Sequence, residues 1–381
     1  MPRLACSTVS FRALASLCVL FSLLVLGAAS SAAASDAHVA EVGEEAAVAP
    51  EAAQAALAST QVPADESHAW REPTRPVATY SIVARDAATG QLGVAVQSHW
   101  FQVGTVVSWA EAGVGAVATQ SFSLPAYGPR GLALMRGGVA APSALERLVA
   151  DDEQRAVRQV AMVDADGRVD AWTGDGCIEA AGHLVDAEHG FAVQANLMDS
   201  PTVWQAMADA YRSAEGDLAE RMLIALEAAE AEGGDIRGRQ SAALLVVRAE
   251  TTGEPWRDRL VDLRVDDAPE PLVELRRLLR RHRAYEEMNA GDEALAEDDL
   301  AAALGHYSNA AALEPTIDEL PFWQAVTLVD AGRVEEALPI FEDVFARDER
   351  WLRLVPRLVD AGLLPDDAQV IGEVLAQRPG G

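Results

Sequence analysis

Residues 79–98, TYSIVARDAATGQLGVAVQS, constrain the fold more than any other part of the chain. In the first arm Tyr80, Ile82 and Ala84 alternate with Ser81, Val83 and Arg85. In the second, Leu92, Val94 and Val96 alternate with Gly93, Ala95 and Gln97. Period-two alternation on both sides of a short Asp-Ala-Ala-Thr-Gly connection predicts a β-hairpin, with Gly90 where a tight turn wants positive φ. The Gly and Ala face of the second arm leaves room for another element to pack very close. Thr79, a hydroxyl residue, opens the first strand, which matters chemically if the chain is cut just before it.

Downstream, residues 105–109 and 114–119 predict two more short strands, and residues 127–136 and 142–150 two helices. Ser143 and Glu146 suit the first turn of the second helix. Residues 157–163 and 169–173 predict another hairpin around the turn Asp164-Ala-Asp-Gly167. Residues 191–196 predict a strand, and Ser200-Pro201 a helix start, cap followed by first-turn proline. Val203, Ala206, Met207, Ala210 and Tyr211 share a face of that helix. Leu218, Met222, Ala225 and Ala229 repeat the spacing until Gly233-Gly234 ends it. Residues 241–247 are nearly all apolar, as in a strand buried on both faces, and residues 260–265 predict the last one. Strands, two helices, strands, two helices, strands is an α+β order that fits two sheets face to face with helices outside. An ordinary α+β domain fits the pattern as well.

The ends of the chain read differently. Residues 1–35 have the form of a signal peptide: Arg3 and Arg12, an apolar run over 13–27, then small residues before position 36. The expected destination is the periplasm or the exterior. Residues 36–78 are an Ala/Glu/Pro-rich linker or propeptide without sustained period. A net charge of −29 over 381 residues speaks against a nucleic-acid partner, whose phosphates need basic groups. All 30 basic residues are arginine, which excludes Schiff-base and P-loop lysine chemistry. With the signal removed Cys177 is the only cysteine, so no intramolecular disulfide is expected. Cys177, His183, Asp186, Glu188 and His189 match no standard zinc spacing, so neither metal nor cofactor is expected.

Beyond Pro271 the pattern is helical and repetitive. Gly291, Ala303, Tyr307 and Ala310 return 34 residues later as Ala325, Ala337, Phe341 and Val344. Small residues let paired helices approach and an aromatic fills the gap, as in a tetratricopeptide repeat. Pro315 falls where the first repeat should end. LVDAG occurs at Leu328 and again at Leu358, a spacing of 30 that points to a degenerate cap. A helical bundle that only braces the first domain fits equally, because two repeats are few for a solenoid.

The blocks TYSIVARD, GVAVQSHW, AGVGAVATQSF, TGDGC, AGH and RGRQSAALLVV, in that order from Thr79 to about Pro271, resemble the bacterial family known as domain of unknown function 1028. The resemblance implies an Ntn-hydrolase-like αββα sandwich over 79–271; the repeat makes 272–381 a helical tetratricopeptide-like module. That module is also similar to one associated with peptidoglycan binding. In Ntn hydrolases a terminal Thr, Ser or Cys attacks an amide carbonyl and its own α-amine takes the proton, and Thr79 is the matching position. Relatives often begin almost at this Thr, whereas here the Ala78–Thr79 bond must be cut to expose it. Glu111 stands in a region where such a site can supply a basic residue. A strand-opening β-branched residue is the plain alternative for Thr79.

The candidate substrate-binding set comprises Ser98, His99, Thr119, Gln120, Asn196, Arg237, Gln240 and Ser241. All lie at strand ends or in the Gly233–Gln240 loop, whose arginines suit an anionic group. As buried strand polars several could equally satisfy backbone groups. Thr79, Ser98, Gln120 and Gln240 are expected around one shared cleft. Two functions follow: an exported amide hydrolase acting on a small molecule or peptide, or a non-catalytic envelope protein binding peptidoglycan or a protein partner. Self-association into a homo-oligomer stays open in both.

Overall fold

The computed structural model describes Val77 and residues 79–378. The expected signal peptide and, apart from Val77, the expected linker lie outside the described residues. These fall into two compact units, one through Leu278 and one from Leu279 onward. Among the described residues no helix is long and apolar enough to cross a membrane.

The first unit is α+β. Its strands are β1 (Thr79–Arg85), β2 (Leu92–Ser98), β3 (Ser108–Glu111), β4 (Gly115–Ser121), β5 (Arg158–Asp164), β6 (Val169–Thr173), β7 (Gly182–Asp186), β8 (Phe191–Asn196), β9 (Ser241–Val247) and β10 (Arg259–Val265). One sheet runs β10-β9-β2-β1-β8-β7 and the other β3-β4-β5-β6, with every pairing antiparallel. Helices α1 (Tyr127–Arg136) and α2 (Ala141–Asp151) pack on the four-stranded sheet. Helices α3 (Val203–Ser213) and α4 (Leu218–Ala231) pack on the six-stranded one. The sheets face each other across Val83, Val94, Val96, Ala118, Ala161, Val163 and Leu245. Alternation thus sorts each strand, one face toward the other sheet and one toward a helix pair.

The first hairpin forms as its pattern implies, with Thr79 opposite Ser98 and Gly90 at φ +72°. The small face of β2 is what admits α4, since a Cβ on Gly93 would lie 2.4 Å from Met222 Cε. Residues 105–109 differ from expectation. Gly104–Val107 make a helical turn and the strand starts at Ser108, where pairing with β4 begins. α3 starts later than Ser200-Pro201 implies, at Val203 behind Thr202, because Ser200 Oγ engages Thr202 locally, 2.6 Å from its Oγ1. Ser143 is the third residue of α2, in its first turn, and caps nothing. That helix starts at Ala141, whose N–H donates to Asp164 Oδ2 at 2.9 Å.

The second unit is all-helical: the end of α5 (Pro271–Ala296), then α6 (Leu300–Leu313), α7 (Glu319–Asp330), α8 (Val334–Arg347), α9 (Glu349–Asp360) and α10 (Ala368–Ala376). Ala303, Tyr307, Ala310, Ala325, Ala337, Phe341 and Val344 are all buried. Gly291 lies under the Tyr307 ring, where a Cβ would come within 2.4 Å of Cε1. Phe341 meets Phe322 edge-on at 5.7 Å and stacks on Phe345 at 5.3 Å. Both LVDAG segments end a helix. Gly332 and Gly362 have φ of +75° and +74°, and the residue after each glycine donates back to Leu328 or Leu358 at 2.8 and 2.9 Å. The shared sequence encodes a glycine C-cap.

Candidate functional site

One end of the inter-sheet layer is polar where the rest is valine, alanine and leucine. From the six-stranded sheet it receives Thr79, Ser81, Ser98, Gln194 and Asn196, and from the four-stranded sheet Gln120 and Gln159, all with zero exposure. Strand register brings them together: Thr79 pairs with Ser98 on one side and Asn196 on the other, and Gln120 pairs with Gln159. Each lies at period two on the inward face of its strand, as Gln120 follows Ala118, Gln194 follows Ala192 and Gln159 precedes Ala161.

The carboxamides form a connected network. Gln120 Nε2 donates to Gln159 Oε1 at 2.7 Å and to the Thr79 carbonyl at 3.0 Å. Asn196 Nδ2 donates to Gln159 Oε1 at 2.9 Å and lies 3.5 Å from the Thr79 carbonyl. Ser81 Oγ donates to Gln120 Oε1 at 2.6 Å, and Gln194 Nε2 donates to Ser81 Oγ and the Ala118 carbonyl. Gln159 Nε2 faces the Ala195 carbonyl and Thr173 Oγ1, both at 2.9 Å. The side-chain amides of Gln120 and Asn196 thus donate to the Thr79 carbonyl, while its hydroxyl donates to the Val77 carbonyl at 2.8 Å and sits 3.1 Å from Ser98 Oγ. Asn196 Oδ1 and Gln194 Oε1 are buried acceptors without a partner among the described residues.

Thr79, Ser98, Gln120 and Asn196 therefore meet. Ser241, opposite Ser98 on β9, shares the inward face but is engaged by the Trp100 carbonyl and Val103 N–H. Thr119 faces the other way, 3.3 Å from the Leu124 carbonyl, because adjacent strand residues point to opposite faces. Gln240 does not join the cluster: its Nε2 donates to Asp267 Oδ1 at 3.1 Å. His99 lies outside it, its N–H on Asp235 Oδ2 and its ring 3.3 Å from the Arg239 carbonyl. The loop arginines are already neutralised, Arg237 by Asp235 and Arg239 by Glu230 and Glu270. Glu111 pairs with Arg136 in a partly exposed bridge. The sequence reading missed Ser81, Gln159 and Gln194, although period two places each on the inward face.

Buried Cys177 has its thiol pushed up by burial, and its Sγ lies 3.4 Å from the Arg158 carbonyl. His183 Nδ1 is 2.8 Å from Thr173 Oγ1, and Asp186 pairs with Arg212 and His189. Among the described residues no group of His, Cys, Asp and Glu could hold a metal ion. The helical unit holds a cavity of about 230 Å³ lined by Met288, Leu295, Trp323 and Val326, with Asp330 and the hydrogen-bonded pair Tyr307–Asp292.

The fold and this layer define a mixed α+β protein of antiparallel sheets with a sealed carboxamide and hydroxyl centre, followed by an all-helical region. The chain belongs to the family of unknown function DUF1028, whose model matches residues 79–275. It is similar to a crystal structure of a Silicibacter pomeroyi protein described by the same family model, at 29% identity and a TM-score of 0.48, over 54% of this chain and 85% of that one. No curated protein matches it.

Proposed function

We propose that the chain is an exported amide hydrolase of the N-terminal-nucleophile kind, on an Ntn-hydrolase-like sandwich, latent until the Ala78–Thr79 bond is cut. One observation carries the reading: Thr79 opens a central strand with its hydroxyl 3.1 Å from Ser98 Oγ and its carbonyl held by Gln120. Freed, its α-amine would take the hydroxyl proton as Oγ1 attacks a substrate carbonyl. The amine product would leave with that proton, and water would then hydrolyse the ester. The unfilled acceptor Asn196 Oδ1, on the residue paired with Thr79, suits the extra N–H donors that cleavage creates. Gln120 and Asn196 act as positioning residues.

A second reading is favoured by the zero exposure of Thr79, Ser98, Gln120 and Asn196. A site with no access suits a non-catalytic envelope protein whose tetratricopeptide-like helices bind peptidoglycan or a protein partner through the apolar cavity. The two separate in processed protein. Thr79→Ser should keep amide turnover and Thr79→Ala should abolish it, and turnover unaffected by Thr79→Ala would remove the hydrolase.

A further inference from the structure

Val77 links the polar layer to the rest of the inter-sheet core. It has zero exposure and belongs to the apolar cluster between the sheets. Its backbone pairs with that of Ser121 at the end of β4: Val77 N–H donates to the Ser121 carbonyl at 2.6 Å, and Ser121 N–H donates to the Val77 carbonyl at 3.0 Å. That same Val77 carbonyl accepts the Thr79 hydroxyl at 2.8 Å. One carbonyl oxygen is therefore held by a backbone amide on one side and touches the candidate nucleophile on the other. Ser121 adopts this position at φ +66°, a left-handed conformation that a serine holds only where its surroundings impose it.

We propose that Ser121 is a peptide-binding subsite, filled in the uncut chain by Val77. Its N–H and C=O would receive one residue of an extended peptide, with the bound carbonyl oxygen beside Thr79 Oγ1. The inference rests on the hydrolase reading for its purpose and names the substrate class: a peptide bearing a small apolar residue at the Val77 position. Paired N–H and C=O groups recognise a peptide backbone, as in strand addition to a sheet edge. An apolar, fully enclosed side-chain position rejects a charged residue, whose desolvation nothing there offsets.

The test uses the full chain with Val77→Asp, and with the milder Val77→Gly. Hydrogen exchange is followed at the Ser121 amide, with acetyl-Thr-Arg-Pro-Val-Ala-amide as probe and the same peptide with Asp for Val as control. In the unaltered chain the amide should be protected and the probe should not bind. In Val77→Asp exchange should rise at least tenfold, and the Val probe, not its control, should restore protection. Val77→Gly should show the same order with a smaller rise, and it carries the test if Val77→Asp loses its cooperative melt. Equal Ser121 exchange in all three chains, or equal binding of both peptides, overturns the subsite. Loss of discrimination with amide turnover intact removes only the subsite, whereas peptide binding without turnover removes only the hydrolase.

Discussion

Gln159→Glu tests the buried network most sharply because it keeps the shape and reverses half the polarity. Oε1 of Gln159 accepts from Gln120 and Asn196, and a carboxylate would preserve both bonds. On the other side Nε2 faces the carbonyls of Ala195 and Gly182 and Thr173 Oγ1, at 2.9, 3.1 and 2.9 Å. A carboxylate oxygen there faces mostly oxygens. Protonated, the new carboxyl donates once where the amide donated twice, a loss of about 1 kcal/mol. Ionised, it is a fully buried anion, so its folded pKa rises above the unfolded value of about 4.3. The ionisation penalty is absent below that value and grows by about 1.4 kcal/mol per pH unit up to the folded pKa. At about pH 5.5 the variant should lose about 3 kcal/mol and at about pH 7 about 5, a difference of about 2. Gln159→Met should cost about 2–4 kcal/mol at both, since it only orphans partners. Urea melts at the two pH values, both above the isoelectric point near 4.5, read these differences. A Gln159→Glu chain within about 1 kcal/mol of the parent at pH 7, or one without pH dependence, would refute the burial and bonding assigned to this layer.

The phenols give a second pH signature. Burial raises all five tyrosines, aided by Glu230 at Tyr80, Asp152 at Tyr127, Glu319 at Tyr285 and Asp292 at Tyr307, and Tyr211 is pushed up to about 12. The fold favours the neutral form, so this contribution is whole below about pH 10 and lost above it. Tyrosinate absorbance should lag that of the urea-unfolded chain and then appear together with unfolding. In the helical unit Phe341→Ala should cost about 3–5 kcal/mol as a large-to-small core change. Gly291→Ala should cost about 1–3 kcal/mol by forcing the Tyr307 ring aside, and unchanged melting in both would disprove the repeat packing. Ser98→Ala should slow release of Thr79 several-fold while Thr119→Val leaves it unchanged, and equal effects on intact mass would contradict the assignment of faces.

Much of the fold was legible because period two survives in β1 and β2, and because β9 is a short, nearly all-apolar run that only a strand buried on both faces accommodates. β7, Gly182–Asp186, was missed: its GHLVD has a glycine, a histidine and an aspartate among five residues and little burial to enforce a pattern. Residues 105–107 read as strand because Thr and two Val favour extended backbone, yet the turn is set by bonds to Gln102 and Val103 carbonyls. The recurrence of LVDAG at a spacing of 30 has a local cause as well, since each copy specifies a helix stop at its glycine. In the polar layer, Thr79 stood out as the position matching an Ntn nucleophile, and Ser98, Gln120 and Asn196 as polar residues at strand ends in family-like blocks. Gln159 and Gln194 needed a different question, namely which polar side chains share a face with inter-sheet alanines. Gln240 misled in the opposite direction, since it flanks β9 at Ser241 but turns to Asp267 outside the layer.

In the proposed hydrolase Thr79 becomes a chain terminus. Intact mass and N-terminal sequencing of the protein exported by its native host test it most directly. The expected product begins at Thr79, and Thr79→Ala abolishes or slows its appearance. A stable mature chain beginning near Ser35 or Asp36, with Thr79 still acylated in the backbone, would contradict the claim, for no α-amine would then be present to serve as base.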